Sequence, residues 1–342
     1  MESVLITGGT GMIGKALTQA LIERGFNVII LTRHISNEQK PKNDKLSYAI
    51  WNVEKQTIDK NAFAKADYII HLAGASVAEK RWTKKRKQEI ISSRVDSGKL
   101  IVDSLENIPN KVKTVVSATA IGWYGPDKND GKKFTEYDPS SNDFLGQTCK
   151  QWEAAIEPAS FLGKRLVKLR IGIVLSNEGG AYPEFKKPLK FLLATILGNG
   201  KQIVSWIHVD DLIRAILFAM ENETMEGVYN IVTPHPVSNK ELVLEIAKEE
   251  RGRSYIPVHV PTFALKIRLG EMSVEVLKSA TVSADKIQQA GLYFSIPTWD
   301  QLFFNYLTKK IFRSDLCMVL MPNICKLSKY RFSMMEGEMI KF

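Results

Sequence analysis

Apolar and polar positions in the first third of the chain follow a repeating order. A short apolar run is followed by a stretch with apolar residues three or four apart, then by another run. Val4-Leu5-Ile6 and Val28-Ile29-Ile30-Leu31 are unbroken apolar runs, the pattern of strands buried on both faces of a parallel sheet. Between them Ile13, Leu17 and Leu21 recur at helical spacing, and Gly25 stands where a helix should stop. The same pattern predicts strands over 48–51, 68–72, 114–117 and 166–169, with helical stretches between most of them. Strand and helix in alternation predict an α/β fold, a doubly wound parallel sheet covered by helices on both faces.

Beyond about residue 200 the rhythm changes. The run Trp206-Ile207-His208-Val209-Asp210-Asp211-Leu212 leads into a helix through Glu221, 228–231 is a short strand, and 240–250 is another helix. From Pro257 to about Thr308 the pattern predicts a smaller, mostly helical lobe on the substrate side. The domain reading is therefore a nucleotide-binding α/β domain over 1–256, a small C-terminal domain over 257–308, and a tail over 309–342. The Met- and Lys-rich stretch from Ile311 to Phe342 reads as a loosely ordered tail.

Composition narrows the class. Of the 342 residues, 44% are hydrophobic and 25% charged, which suits a globular core and excludes disorder for the bulk of the chain. The N-terminus lacks the basic and apolar regions of a signal peptide, and no apolar stretch has transmembrane length, so no membrane is expected. The three cysteines, Cys149, Cys317 and Cys325, show no zinc-ligand spacing, and no metal site is expected. A reduced, cytoplasmic protein is the simplest reading. The net charge of +10 favours phosphate-rich ligands. Its densest stretch, 80–87, leads into an amphipathic run and reads as a solvated helix face; without a nucleic-acid motif beside it, no nucleic-acid partner is expected.

The chemistry begins at Thr7-Gly8-Gly9-Thr10-Gly11-Met12-Ile13-Gly14, where Gly8, Gly11 and Gly14 are spaced G-x-x-G-x-x-G between a strand and a helix. One glycine permits the tight turn, one lets the backbone approach a pyrophosphate, and one lets the helix pack on the strand. The helix N-terminus then offers free N–H groups and a positive dipole end to the phosphates. This is the Rossmann-type dinucleotide unit. An NAD site places an acid on the ribose 2′-hydroxyl at the end of the second strand. Here that place reads Leu31-Thr32-Arg33-His34, with Arg33 nineteen positions past Gly14 and no carboxylate. Arg33 either forks onto a 2′-phosphate, which makes the cofactor NADP, or is a surface arginine at a strand end. The missing acid favours NADP.

Taken in order, the glycine loop, His71-Leu72-Ala73-Gly74-Ala75-Ser76, Lys80-Arg81-Trp82-Thr83, Ser93-Arg94-Val95 and Ser205 to Leu212 form a combination. It resembles the NAD-dependent epimerase/dehydratase-like family of atypical extended short-chain dehydrogenases, and within it the branch called "epimerase family protein". The resemblance runs from residue 3 to about 305 and includes a C-terminal domain of unknown function. It implies cofactor contacts at Gly8, Thr10, Gly11, Met12, Ile13 and Gly14, at Thr32 and Arg33, and at Leu72, Ala73 and Gly74. It further implies that Glu89 and Arg94 line the cofactor and that Val174 sits by the nicotinamide. Against these, 72–74 also reads as a plain strand exit, and Glu89 with Arg94 as an exposed helix pair.

Ordinary members of that superfamily use a Tyr-x-x-x-Lys pair on one helix, with a Ser or Thr at the end of the fifth strand. The matching helix here, Phe144-Leu145-Gly146-Gln147-Thr148-Cys149-Lys150, has Gly146 four residues before Lys150 and no tyrosine in either plausible register. Tyr124-Gly125-Pro126-Asp127-Lys128 has the spacing, but its glycine and proline forbid a regular helix. The hydroxyl partner is retained as Thr119, the candidate catalytic residue. Tyr124 either points into the cleft or packs on the core. Cys149 is either a nucleophile or, more simply, a buried structural thiol. His208, Asp210 and Asp211 read as packing and hydrogen-bonding residues of a strand–helix junction. The sequence therefore predicts an NADP(H)-binding protein acting on a small molecule as an oxidoreductase or epimerase, or else a non-catalytic NADP(H)-responsive regulator.

Overall fold

A computed structural model describes residues 1–35, 43–128, 130–296 and 298. Its strands in chain order are β1 (Ser3–Thr7), β2 (Asn27–Thr32), β3 (Leu46–Asn52), β4 (Thr57–Ile58), β5 (Tyr68–His71), β6 (Thr114–Ala120), β7 (Arg165–Ile171), β8 (Ile173–Ser176), β9 (Gly179–Gly180), β10 (Leu193–Leu197), β11 (Ile203–Val204), β12 (Trp206–His208), β13 (Gly227–Ile231), β14 (Val237–Ser238) and β15 (Ile256–Val260). The helices are α1 (Met12–Glu23), α2 (Lys60–Ala64), α3 (Lys84–Asn107), α4 (Phe144–Ile156), α5 (Tyr182–Leu189), α6 (Val209–Glu221), α7 (Asn239–Arg251), α8 (Thr262–Leu269), α9 (Ser273–Leu277) and α10 (Asp285–Gln289).

The main sheet has eight strands in the order β13-β7-β6-β5-β1-β2-β3-β4, parallel throughout except at β3–β4. Strand alternation divides its apolar side chains between two cores. Val4, Ile6, Val28 and Ile30 meet Leu17 and Leu21 of α1 and Ile213 and Ile216 of α6. Leu5, Ile29, Leu31 and Ile69 meet Leu100, Ile101 and Leu105 of α3 on the opposite face. This is the doubly wound, Rossmann-type α/β fold. It explains why β1 and β2 carry no polar alternation, since both faces of each strand are covered. Gly25 ends α1 with φ +92°, letting the Phe26 N–H return 3.0 Å to the Leu21 carbonyl.

Past β7 the chain builds the smaller lobe from a three-stranded sheet, β12-β8-β9, and two pairs, β10–β15 parallel and β11–β14 antiparallel. Pro257, where the sequence reading begins its C-terminal domain, lies inside β15 opposite Ala194 of β10. The short helices α8, α9 and α10 follow it. The tail from Ile311 to Phe342 lies outside the described residues. Among the described residues no helix is long and apolar enough to cross a membrane.

Candidate cofactor-binding and active site

The chain runs β1→β2→β3 outward in one direction and returns to lay β5, β6 and β7 on the other side of β1. Ligands in such sheets bind where that order reverses, beyond the carboxyl ends of the strands. Here the reversal brings the loop after β1 against the loop after β5. Gly8 has φ +71°, and a Cβ there would lie 2.9 Å from the Leu72 carbonyl carbon and oxygen. A Cβ on Gly14 would lie 2.4 Å from the Gly8 oxygen, so α1 packs on the loop only without a side chain. Gly11 differs: it is exposed, and within 4 Å of its notional Cβ only the Gly8 oxygen stands, at 3.3 Å. The protein's own packing does not fill that space. α1 starts there with no side-chain cap and no acid in its first turn, leaving its first N–H groups for an anion.

Around this cradle, Thr10 is exposed, Ile13 packs against the α1–α6 core, and Met12 supports the β8–β9 hairpin, its sulfur 3.3 Å from a notional Cβ on Gly179. Val174, in β8, packs half-buried against the same core. At the end of β2 the Thr32 hydroxyl donates to the His34 carbonyl at 2.8 Å. Arg33 is exposed and makes no ion pair among the described residues. These features fit a dinucleotide: a pyrophosphate cradle at the glycine loop and an unengaged guanidinium beside it.

On the other flank Leu72 and Ala73 are half-buried, and Gly74 is exposed above Arg94, whose guanidinium carbon is 3.0 Å from a notional Gly74 Cβ. Arg94 donates to the carbonyls of Ala75 at 3.0 Å and Ile90 at 2.9 Å, and lies over the Trp152 ring at 4.8 Å. It has no carboxylate partner among the described residues, and burial brings its pKa down to about 10. Glu89 stays exposed and pairs instead with Arg86 at 2.8 Å, and that hydrogen bond lowers its pKa. The two residues five apart on α3 thus have separate environments, one tucked under the cofactor loop and one at the surface.

The substrate side is arranged otherwise. Thr119, near the end of β6, is buried, with its hydroxyl beside the Cys149 thiol. Nearby, Cys149 of α4 is pushed up to about 12, by burial first and then by the Glu153 carboxylate, which makes a thiolate nucleophile inaccessible at neutral pH. Gly146 cannot be a tyrosine without rearrangement, because a Cβ there would lie 2.3 Å from the Ser141 oxygen; Lys150 points to solvent. Tyr124 resolves to the core. It is fully buried, donates to Asn230 Oδ1 at 2.7 Å, and accepts from Arg170 Nη1 at 3.0 Å. Burial raises its pKa to about 12, while Lys128 sits outside beside Asp138. Arg170 also forks onto Glu153 at 2.8 and 3.0 Å, a buried pair that ties β7 to α4. His208 caps α6 through the Asp210 N–H at 3.2 Å, and Asp211 accepts from the backbone at Ser295 and Ile296.

Sequence reasoning missed the polar groups beneath the loops: Thr7, His71, Ser93 and Ser97. The available signal was a histidine inside an otherwise apolar strand, directly before the cofactor loop.

Two family models match the chain. The NAD dependent epimerase/dehydratase family model covers residues 4–144 and 186–232, and a domain of unknown function, DUF1731, covers 260–303. The chain belongs to the NAD dependent epimerase/dehydratase family. Family members similar to it include epimerase family protein SSP1921 of Staphylococcus saprophyticus, 38% identical over 87% of this chain and 96% of that protein. Epimerase family protein SAR0825 of Staphylococcus aureus is 36% identical over 86% and 95%. Among solved structures, human epimerase family protein SDR39U1 with NADPH superposes with a TM-score of 0.76 at 26% identity, over 88% of this chain and 97% of that one.

Proposed function

We propose that this family member binds NADP(H) in preference to NAD(H) and acts as an oxidoreductase or epimerase on a small molecule in the reducing setting of the cytoplasm. The observation that carries the cofactor choice is the end of β2, where Arg33 is exposed, makes no ion pair among the described residues, and has no acid next to it in sequence. The NADPH in the human relative's structure supports the same choice. In this reading the N–H groups at the start of α1 hold the pyrophosphate above Gly11, and Arg33 forks onto the 2′-phosphate. Gly8, Thr10, Met12, Ile13, Gly14 and Thr32 shape the cradle. Leu72, Ala73, Gly74, Glu89, Arg94 and Val174 flank the remainder. Bound nicotinamide supplies hydride transfer. Thr119 orients a substrate oxygen with its hydroxyl but cannot serve as a base near neutrality.

A second reading, a non-catalytic NADP(H)-responsive regulator, is favoured by α4, where Gly146 stands four residues before Lys150 in place of a tyrosine and a Cβ on it would lie 2.3 Å from the Ser141 oxygen. Titration of both cofactors tests the first reading. NADPH should bind more tightly than NADH, and Arg33→Ala should weaken NADPH by about 1.5–3 kcal/mol while leaving NADH nearly unchanged. Equal losses for the two cofactors would remove the assignment. NADPH binding without turnover across a broad panel of carbonyl substrates would select the regulatory reading.

A further inference from the structure

Beneath the loop after β5 lies a chain of fully buried polar side chains from three elements: Thr7 of β1, His71 of β5 and Ser97 of α3. Thr7 Oγ1 lies 3.1 Å from the Leu72 nitrogen, 3.2 Å from the Ala73 nitrogen and 2.7 Å from His71 Nδ1. Backbone N–H groups only donate: the Ala73 N–H and the Leu72 N–H, the latter shared with the Thr7 carbonyl at 3.1 Å, face the hydroxyl lone pairs, which leaves the single hydroxyl proton for Nδ1. Nδ1 is then the bare acceptor nitrogen, and Nε2 carries the ring proton toward Ser97 Oγ at 3.3 Å. Ser97 can accept it because its own proton is directed to the Ser93 carbonyl at 2.7 Å or the Arg94 carbonyl at 3.0 Å. Proton direction is thus fixed from α3 through the imidazole to the loop after β5.

The loop is held again two residues further on, at Ala75. Ser93 Oγ accepts from the Ala75 N–H at 2.9 Å, and Arg94 donates to the Ala75 carbonyl at 3.0 Å. The sheet order places this loop on the flank of β1 opposite β2, and so opposite Arg33. A dinucleotide whose adenosine half lies at Arg33 must send its other half across this loop.

We propose that His71 is a positioning residue: held neutral with its proton on Nε2, it links Thr7 to Ser97 and presets the loop over 72–75 for the half of the dinucleotide remote from Arg33. This inference rests on the cofactor reading above. Burial, reinforced by the Arg94 charge, agrees with the neutral ring by lowering its pKa to about 3.

The first test needs no variant. In the full-length, ligand-free protein with ¹⁵N-labelled histidine, the His71 signals should show a bare Nδ1 and a protonated Nε2, unchanged between pH 7.5 and 5. A proton on Nδ1, or ordinary titration near pH 6.5, overturns the proposal. The second test separates the two halves of the cofactor. Thr7→Val and Ser97→Ala should each weaken NADPH by about three- to tenfold, the scale of one buried hydrogen bond. Each should leave 2′,5′-ADP within about twofold, because that fragment engages the distant Arg33 flank. Thr7→Ser, which keeps the hydroxyl, should restore NADPH affinity. Equal losses for 2′,5′-ADP and NADPH, or no restoration by serine, would also overturn it. Wild-type protein that binds neither molecule overturns the cofactor reading together with this use of the loop, whatever the tautomer.

Discussion

The β1–β2–β5 flank of the cleft is open where a ligand would lie, whereas the β6–α4 flank is closed by the protein's own groups. Among the described residues the notional Gly11 Cβ faces only the Gly8 oxygen, at 3.3 Å, and the first turn of α1 has neither a side-chain cap nor an acid. Across the cleft, Ser141 presses on Gly146, the Cys149 thiol is buried, and Arg170 is engaged by Glu153 and Tyr124. In the proposed reading, the part that holds the nucleotide and the part that reacts hang on different strands. The second can lose its usual residues without disturbing the first.

Substitutions on the two flanks should therefore separate. The largest effect on folding is expected from Glu153→Leu, which strands the Arg170 guanidinium in the core and should lower stability by about 3–5 kcal/mol in urea unfolding, with NADPH affinity of the folded fraction intact. Gly11→Val should do the reverse. A side chain in the open cradle should weaken NADPH and NADH alike by about 100-fold or more, roughly 3 kcal/mol, while the unfolding midpoint hardly moves. Retained affinity in folded Gly11→Val protein would mean that the phosphates lie elsewhere. Thr119→Val removes a hydroxyl whose neighbour is the buried Cys149 thiol, a weak hydrogen-bonding group, so stability and NADPH affinity should stay within about 1 kcal/mol. Any turnover should nevertheless fall by roughly 10- to 1000-fold through loss of one bond to the developing charge. Turnover that Thr119→Val leaves unchanged would move the chemistry away from β6.

The smallest effect is a pH slope. His71 has an ordinary pKa of 6.5 when unfolded and about 3 in the fold, so between those values the unfolded chain binds the extra proton. Stability is then full above pH 6.5 and declines as the pH falls toward 3, by at most about 1.4 kcal/mol per unit. Between pH 6.5 and 5, where most carboxylates remain ionised, His71→Asn should flatten that slope. An unchanged slope would assign it to other groups.

How much of this was legible in the sequence depended on how local each determinant is. β1 and β2 were readable because strands covered on both faces need unbroken apolar runs, and β6 and β7 from shorter apolar runs interrupted by Ser117 and Lys168; the ends of all four differ from expectation by only a few residues. The glycine loop was readable because its demands on Gly8 and Gly14 are steric and confined to the turn and the strand exit beside it. β15 was not, because most of it is exposed and it carries a proline, so no buried face leaves a periodic trace. Its partner β10 lies some sixty residues earlier. The settings of Tyr124 and Arg94 were equally hidden. Each depends on residues brought in from remote strands or helices, and spacing along the chain carries no record of them.

Asp211 illustrates what such remote closure does to the chain as an object that can be cut. Its carboxylate, 1% exposed on α6, is held by the backbone N–H groups of Ser295 and Ile296 at 2.8 Å each and by Arg214 at 3.2 Å. Burial raises its pKa despite those donors. The main sheet is complete by Ile231, yet a chain shortened to end before Ser295 would leave that carboxylate in the interior with only the partly exposed Arg214 beside it. A chain shortened to end before Ser295 should therefore be less stable than the full one, because that turn ties back to α6 through the Asp211 carboxylate.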